Sequence, residues 1–219
     1  SAASDVYKRQ DYQPAPDIAA LRPVLTAAAE RMHDNYPYQH PLYAGQMLKP
    51  PHPVARLAYA MAQFVNPNNH AMDGGRASSM MEREAVAELA AMFGWKQHLG
   101  HLCGGGTMAN MEALWVAAQV HPGKKIVASD QAHYTHGRIS EVLKVRFTPV
   151  PSDASGRMDM SALKDMLSVG DIGTVVATMG TTGTGTTDPL EEIIDLANTY
   201  NCRVHVDAAY GGYFTLANN

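Results

Sequence analysis

RVHVDAAYGG, Arg203 to Gly212, is the stretch whose reading decides the fold. Val204 to Val206 is a short β-branched run, the composition of a buried strand. Asp207 follows at once, then two alanines, a tyrosine and two glycines. In an open α/β sheet, ligands gather at the carboxyl ends of strands, so an acid placed there stands where a ligand would act. Taken alone, Asp207 reads equally as an N-cap or as a core-edge acid paired with a nearby base.

Working upstream, strands and helices alternate. Asp188-Pro189-Leu190-Glu191 carries an acid cap, a proline at the first helical position and a glutamate, and it opens a helix with Leu190, Ile193, Ile194 and Ala197 on one face. Thr174 to Met179 is a strand. Met158 to Ser168 is a helix with Asp159 as its cap and Gly170 past its end. Val145 to Pro149 is a strand, His133 to Leu143 a helix and Lys125 to Ser129 a strand. This βαβαβ rhythm predicts an α/β domain built on a mostly parallel sheet covered by helices. Before it, a glycine-rich turn, Gly104 to Thr107, opens a helix running to about Val120. Ser79-Met-Met-Glu82 has the capping-box pattern and opens a helix ended by Gly94. Val54 to Val65 and Ile18 to His33 are helical. Between those two lies a proline-punctuated, tyrosine-bearing stretch, Tyr36 to Pro53, either a pocket or interface loop or an arm packed on the surface. Residues 1–17 are expected to be a disordered or non-native lead, 18–77 an N-terminal helical segment with a substrate and dimer-contact loop, and 78–219 the sheet domain.

Composition agrees with this organisation. The chain has 219 residues, 46% of them hydrophobic and 17% charged, enough to bury a core. A net charge of −4 leaves no nucleic-acid footprint, and no apolar run is long enough to span a bilayer. Two cysteines without metal-ligand spacing point to free thiols in a reducing, cytoplasmic setting.

Four turns carry the candidate chemistry. Gly104-Gly105-Gly106-Thr107 puts free amides and a hydroxyl at a helix N-terminus, a place for a phosphate or simply a helix start. It has neither the Walker lysine nor the GxGxxG spacing. DQAHYTHGR, Asp130 to Arg138, follows a strand and offers His133 and His136. With no third ligand nearby they make a weak metal site; His133, just past the strand, equally suits stacking on a flat ligand, or the two are half-exposed histidines at a helix start. Thr178 to Thr187 is a flexible, donor-rich threonine and glycine loop, or an ordinary solvated turn. Asp207 supplies the carboxylate. Three of these turns follow strands and converge on one sheet edge. Phosphate donors, an imidazole, hydroxyls and a carboxylate together suit a phosphorylated, planar, nitrogen-containing cofactor.

HVDAAYGG (His205 to Gly212), DQAHYTHGR, ATMGTTGTG (Ala177 to Gly185) and GGGTMANMEAL (Gly104 to Leu114) stand in the order in which the group II pyridoxal-phosphate-dependent amino acid decarboxylases carry such motifs. From Tyr36 onward the chain resembles that family. HPLYAGQML (His40 to Leu48) and NPNNHAMDGG (Asn66 to Gly75) are most similar to its bacterial tyrosine-decarboxylase-like branch. The resemblance implies the large domain of the fold-type-I pyridoxal-phosphate enzymes, incomplete here, with pyridoxal 5'-phosphate as cofactor. It implies that Asp207 pairs with the protonated pyridine nitrogen, which makes the ring an electron sink. Ala209 would pack under the ring and His133 stack over it. Gly106 and Thr107 would hold the phosphate. Thr182 would sit near the ring hydroxyl or Asp207, and His136 near the substrate. Tyr43 and Gln46 would line a substrate pocket, often that of the neighbouring subunit in a homodimer.

The resemblance also implies a Schiff-base lysine beyond the aspartate motif, and no lysine follows Asp207 in this chain. The chain is therefore expected to be a truncated piece, inactive alone, of a parent that decarboxylates an L-amino acid, an aromatic one such as tyrosine first. Aminotransfer or retro-aldol cleavage on the same scaffold, and a non-catalytic degenerate paralogue, are the alternatives.

Overall fold

The structure, a computed structural model, describes residues 17–45 and 50–217. It divides into two compact units that meet between Pro67 and Asn68. The second unit therefore starts ten residues before the expected boundary at 78. The reason is local. Asn69 accepts from the Ser78 hydroxyl at 2.5 Å and donates to Glu82 at 3.2 Å, which ties the Asn-Pro-Asn-Asn turn to the helix that follows.

The first unit holds α1 (Ile18–Met32) and α2 (Pro53–Val65). Asp17 caps α1 through the Ala19 amide, and His52 caps α2 through the Val54 amide. Tyr36, Tyr38 and Tyr43 pack edge-on and tilted against one another, with ring centroids 5.2 to 6.4 Å apart. This clustering gives the proline-rich segment its local order. Neither helix buries a side chain whose surroundings are described. Leu57 and Phe64, one apolar stripe of α2, stand exposed, Phe64 at 93%.

The second unit contains α3 (Arg76–Met92), α4 (Gly106–Val120), β1 (Lys125–Ser129), α5 (Thr135–Val142), β2 (Phe147–Val150), α6 (Met160–Ser168), β3 (Ile172–Thr178), α7 (Leu190–Thr199) and β4 (Arg203–Asp207), followed by a 3-10 turn, Gly212–Leu216. The four strands form one wholly parallel sheet in the order β2-β1-β3-β4. Successive side chains of a strand point to opposite faces, and the two cores follow that alternation. Ile126, Ala128 and Val176 pack with Leu114 and Ala117 of α4 and Ile139 of α5. Val127, Val175 and Ala177 pack with Leu163 and Leu167 of α6 and Ile193 of α7. β3 is buried along its whole length, as expected of a central parallel strand sandwiched by helices. From β1 the chain goes to β2 on one side, then crosses back past β1 to β3 on the other. The switch point of the sheet thus lies between β1 and β3.

Two expected caps are corrected. The helix after Gly75 starts at Arg76, so Ser79 lies inside its first turn, buried, and does not cap it. Its would-be partner Glu82 instead accepts from the Leu102 amide at 2.8 Å, which anchors the segment leading to the glycine turn. Asp188 does not cap α7, whose N-cap is Pro189 with no side-chain bond. Its carboxylate turns inward and accepts from the amides of Thr178 at 2.8 Å and Met158 at 2.9 Å. The pull is simple: those two amides are buried, and a buried donor without a partner costs more than an uncapped helix end.

Candidate active site

β3 and β4 are paired so that Val176 lies beside His205 and Thr178 beside Asp207. His205 and Asp207 therefore project to the face of the sheet covered by α4 and α5. Each of those helices sends one polar side chain to meet them. Asn110 of α4 donates Nδ2–H to Asp207 Oδ2 at 3.1 Å. Its Oδ1 accepts from Nε2 of His205 at 2.8 Å. His136 of α5 places Nε2 2.9 Å from the same Asp207 Oδ2. Asp207 Oδ1 accepts from the Ala209 amide at 3.0 Å. Asp207 is only 7% exposed. Burial alone would raise its pKa, but the bond from His136, the Ala209 amide, the His136 charge and the bond from Asn110 outweigh it and hold the carboxyl at about 2. His205 is driven the other way, down to about 4, by burial first and then by the neighbouring His136. Near neutral pH it is an uncharged imidazole donating Nε2–H to Asn110.

The glycine turn closes on the same point. Gly105 has φ +101, a backbone an L side chain rarely adopts, and this lets α4 begin at Gly106. A Cβ placed on Gly106 would stand 3.1 Å from the Ala209 Cβ. The bare backbone of the helix N-terminus is thus set directly beside the turn that follows Asp207. Its first amides have no intrahelical partner, and the helix dipole favours an anion there. Thr107, next in the turn, is exposed.

The other expected residues fall into place unevenly. His133 is half-buried after β1, with Nδ1 2.7 Å from the Thr135 hydroxyl and its ring beside Tyr134. His136, expected near a substrate, is enclosed at 0% exposure and spends Nε2 on Asp207. The threonine loop is tied rather than loose. The hydroxyls of Thr181, Thr184 and Thr186 lie 2.7 to 3.1 Å from one another, and Thr186 donates to the Gly156 carbonyl. Thr182, on the same loop, is exposed. The loop is joined to the aspartate turn by backbone: the Met179 amide donates to the Asp207 carbonyl at 2.8 Å, and a Cβ on Gly211 would meet the Met179 oxygen. Tyr43 belongs to the first unit, and Gln46 lies outside the described residues. An apolar hollow of about 770 Å³ lies near β4, lined by Phe93, Trp95, Met179, Tyr210 and Phe214. Val206 also lines it, so it sits on the opposite face of the strand from His205 and Asp207.

Asn110 and His205 are members of the cluster around Asp207 that motif reading passed over. Both had a signal. His205 shares a strand face with Asp207 two residues on, and Asn110 lies one helical turn beyond Gly106.

Residues present fit a phosphorylated pyridine. The α4 N-terminus offers an anion cradle that a side chain on Gly106 would crowd, and Asp207 beside it stays ionised in a nearly dry place. Residues 108–218 match the family model described as the pyridoxal-dependent decarboxylase conserved domain. The chain is 34% identical over 169 residues to a probable L-aspartate decarboxylase of Halobacterium salinarum, covering 76% of this chain and 47% of that protein. It is 29% identical over 180 residues to a probable L-tyrosine/L-aspartate decarboxylase of Methanopyrus kandleri, covering 77% and 46%. The crystal structure of mouse CSAD in apo form superposes with a TM-score of 0.83 at 23% identity, over 99% of this chain and 49% of that one. The chain spans about half the length of the curated relatives it matches. With its glycine cradle, its buried aspartate and more than half its length matching one family model, the chain belongs to the pyridoxal-dependent decarboxylases.

Proposed function

We propose that the full-length protein decarboxylates an L-amino acid with pyridoxal 5'-phosphate. The observation that carries this is Asp207: a carboxylate held ionised by three donors, one of them the amide of Ala209, whose Cβ would stand 3.1 Å from a Cβ on Gly106 at the start of α4. When bound, the cofactor supplies an electron sink for the carbanion left as CO₂ departs, provided its ring nitrogen is protonated. Each side chain has a part in that. Asp207 would hold the proton on the ring nitrogen, and Gly106 and Thr107 would hold the phosphate. Ala209 and His133 would pack against the ring, and Thr182, exposed on its loop, would lie near the ring hydroxyl or Asp207. The chain's Lys125 opens β1 and pairs with Asp171 at 2.7 Å, at the amino edge of the sheet and away from this site.

Tyrosine is the first substrate proposed, from the tyrosine-decarboxylase-like segment around Tyr43 and Gln46. Aspartate is the competing one, since both amino acids appear in the names of the relatives. A homodimer is part of the proposal, supported by the exposed apolar stripe of α2. So is a cytoplasmic location; no described helix is long and apolar enough to cross a membrane. The test is the full-length protein with added pyridoxal phosphate, assayed for CO₂ release from L-tyrosine and from L-aspartate in parallel with keto-acid formation. CO₂ release without keto acid is expected. Keto acid without CO₂ overturns the decarboxylase reading, and CO₂ from aspartate alone overturns the aromatic one.

A further inference from the structure

We infer that His136 is a positioning residue. Through its Nε2 bond to Asp207 it sets the orientation and charge of the carboxylate that meets the cofactor's ring nitrogen. The inference rests on the proposed pairing of Asp207 with that nitrogen.

The geometry is specific. A carboxylate can accept about four hydrogen bonds, two at each oxygen. At Asp207 the two side-chain donors, from α5 and α4, converge on Oδ2 at 2.9 and 3.1 Å. Oδ1 receives the Ala209 amide alone at 3.0 Å. Oδ2 is thereby saturated from inside the protein, and Oδ1 keeps an acceptor position for a ring N–H. Asn110 cannot do this alone. Its amide is itself held by His205, so its reach toward Asp207 depends on β4, the strand that carries Asp207. His136 arrives from a different helix and fixes the carboxylate against the core.

Its surroundings argue the same way. His136 is fully enclosed, so it has no open face for a substrate and can act only through what it touches. Its other ring nitrogen, Nδ1, is buried without a partner among the described residues. A leucine or phenylalanine there would avoid that cost. The fold instead keeps an imidazole with one nitrogen orphaned and the other on Asp207. The neighbouring ring of His205, 6.4 Å away and edge-on, is engaged with Asn110 and does not compete for the same oxygen.

The test uses the full-length protein loaded with cofactor ¹⁵N-labelled at the ring nitrogen, whose chemical shift reports protonation directly. His136→Phe removes the donor at similar volume. His136→Gln returns an N–H at nearly the position of Nε2. Expected in His136→Phe are a ring-nitrogen shift moved toward that of neutral pyridine and about a tenfold weaker cofactor affinity. His136→Gln is expected to restore both. A wild-type shift in His136→Phe overturns the inference. Equal disturbance in His136→Phe and His136→Gln also overturns it, because the role is then packing. Asp207→Asn separates the two levels. If that variant keeps a protonated ring nitrogen, the pairing of Asp207 itself fails. If it loses it while His136→Phe does not, only the role of His136 fails. Should His136→Phe not fold, the imidazole ¹⁵N signal of His136 in the wild-type protein decides. It is expected to move on adding pyridoxal phosphate and to stay put with the analogue that has carbon in place of the ring nitrogen. The same response to both overturns the inference.

Discussion

Two buried aspartates end up beside neighbouring strand ends and behave in opposite ways. Asp188 is 3% exposed and Asp207 is 7% exposed, so desolvation presses on both. Asp188 accepts only backbone amides, from Thr178 and Met158, and burial wins: its pKa is raised. Asp207 accepts one amide and two side chains, one of them an imidazole, and the donors win: its pKa falls to about 2. Burial alone therefore does not make an acid functional. Asp188 closes a structural gap, stapling the end of β3 to the turn before α6. Asp207 takes donors from two helices and a turn, and that turn, at Ala209, lies beside Gly106 of the glycine turn.

The comparison breaks first under substitution. Asp207→Ala in the full-length protein is expected to weaken cofactor binding and lower kcat by about 10²–10³-fold or more, the scale of losing one preorganised electrostatic partner. Steady-state CO₂ release measures it, and near-normal turnover would remove Asp207 from the site. Asp188→Ala is expected to do the reverse. It leaves two buried amides unpaired, a loss of about 2–4 kcal/mol in unfolding free energy, with kcat per folded molecule close to wild type. Denaturant melts read alongside turnover separate the two. A large kcat loss at unchanged stability in Asp188→Ala would erase the distinction.

That distinction was only half legible in the sequence. The parallel sheet was legible because β1, β3 and β4 carry short β-branched runs and α7 presents a clean apolar stripe, so local pattern and packing agree. Asp207 stood out as a candidate because a strand end in such a sheet is where ligands gather. Asp188 was misread because Asp-Pro before a helix is a good local cap pattern, and the competing demand came from amides ten and thirty residues away. The same limit hid the partner of His136: an HxxH spacing shows that two histidines are near each other, not that one turns inward across 71 residues of sequence to an aspartate. Thr181, Thr184 and Thr186 read as free donors for the same reason, although their hydroxyls satisfy one another.

Titration sharpens the contrast at a third residue. His205 has its pKa lowered to about 4 from 6.5, by burial first, with His136 and Arg203 also opposing its charge and Asp207 favouring it. Between those values the unfolded chain binds more protons than the folded one, so stability is full above pH 6.5 and declines as pH falls toward 4. The loss from this group reaches at most about 3 kcal/mol. Asp207 adds a second loss only as pH drops below 3.8 toward 2, and Asp188, with its raised pKa, gains stability as it protonates. His205→Gln keeps a donor for Asn110 and removes the titration. Urea melts at pH 6.5, 5.5 and 4.5 are expected to show a flatter dependence in that variant. An unchanged slope would place the acid sensitivity elsewhere.

The smallest effect concerns the contact between the glycine turn and the aspartate turn. A methyl on Gly106 would stand 3.1 Å from the Ala209 Cβ, closer than such carbons normally approach, so one of the two turns has to give by a few tenths of an ångström. Gly106→Ala is therefore expected to weaken pyridoxal phosphate binding about tenfold, roughly 1.4 kcal/mol, while the sheet is undisturbed. Removing the opposing methyl should undo it. The double variant Gly106→Ala with Ala209→Gly regains space at the contact, and cofactor affinity is expected to recover beyond what the two single changes sum to, which is the signature of directly touching residues. Additive losses in the cofactor titration would mean that the two turns bind independently, and the cradle beside Asp207 would then owe nothing to their contact.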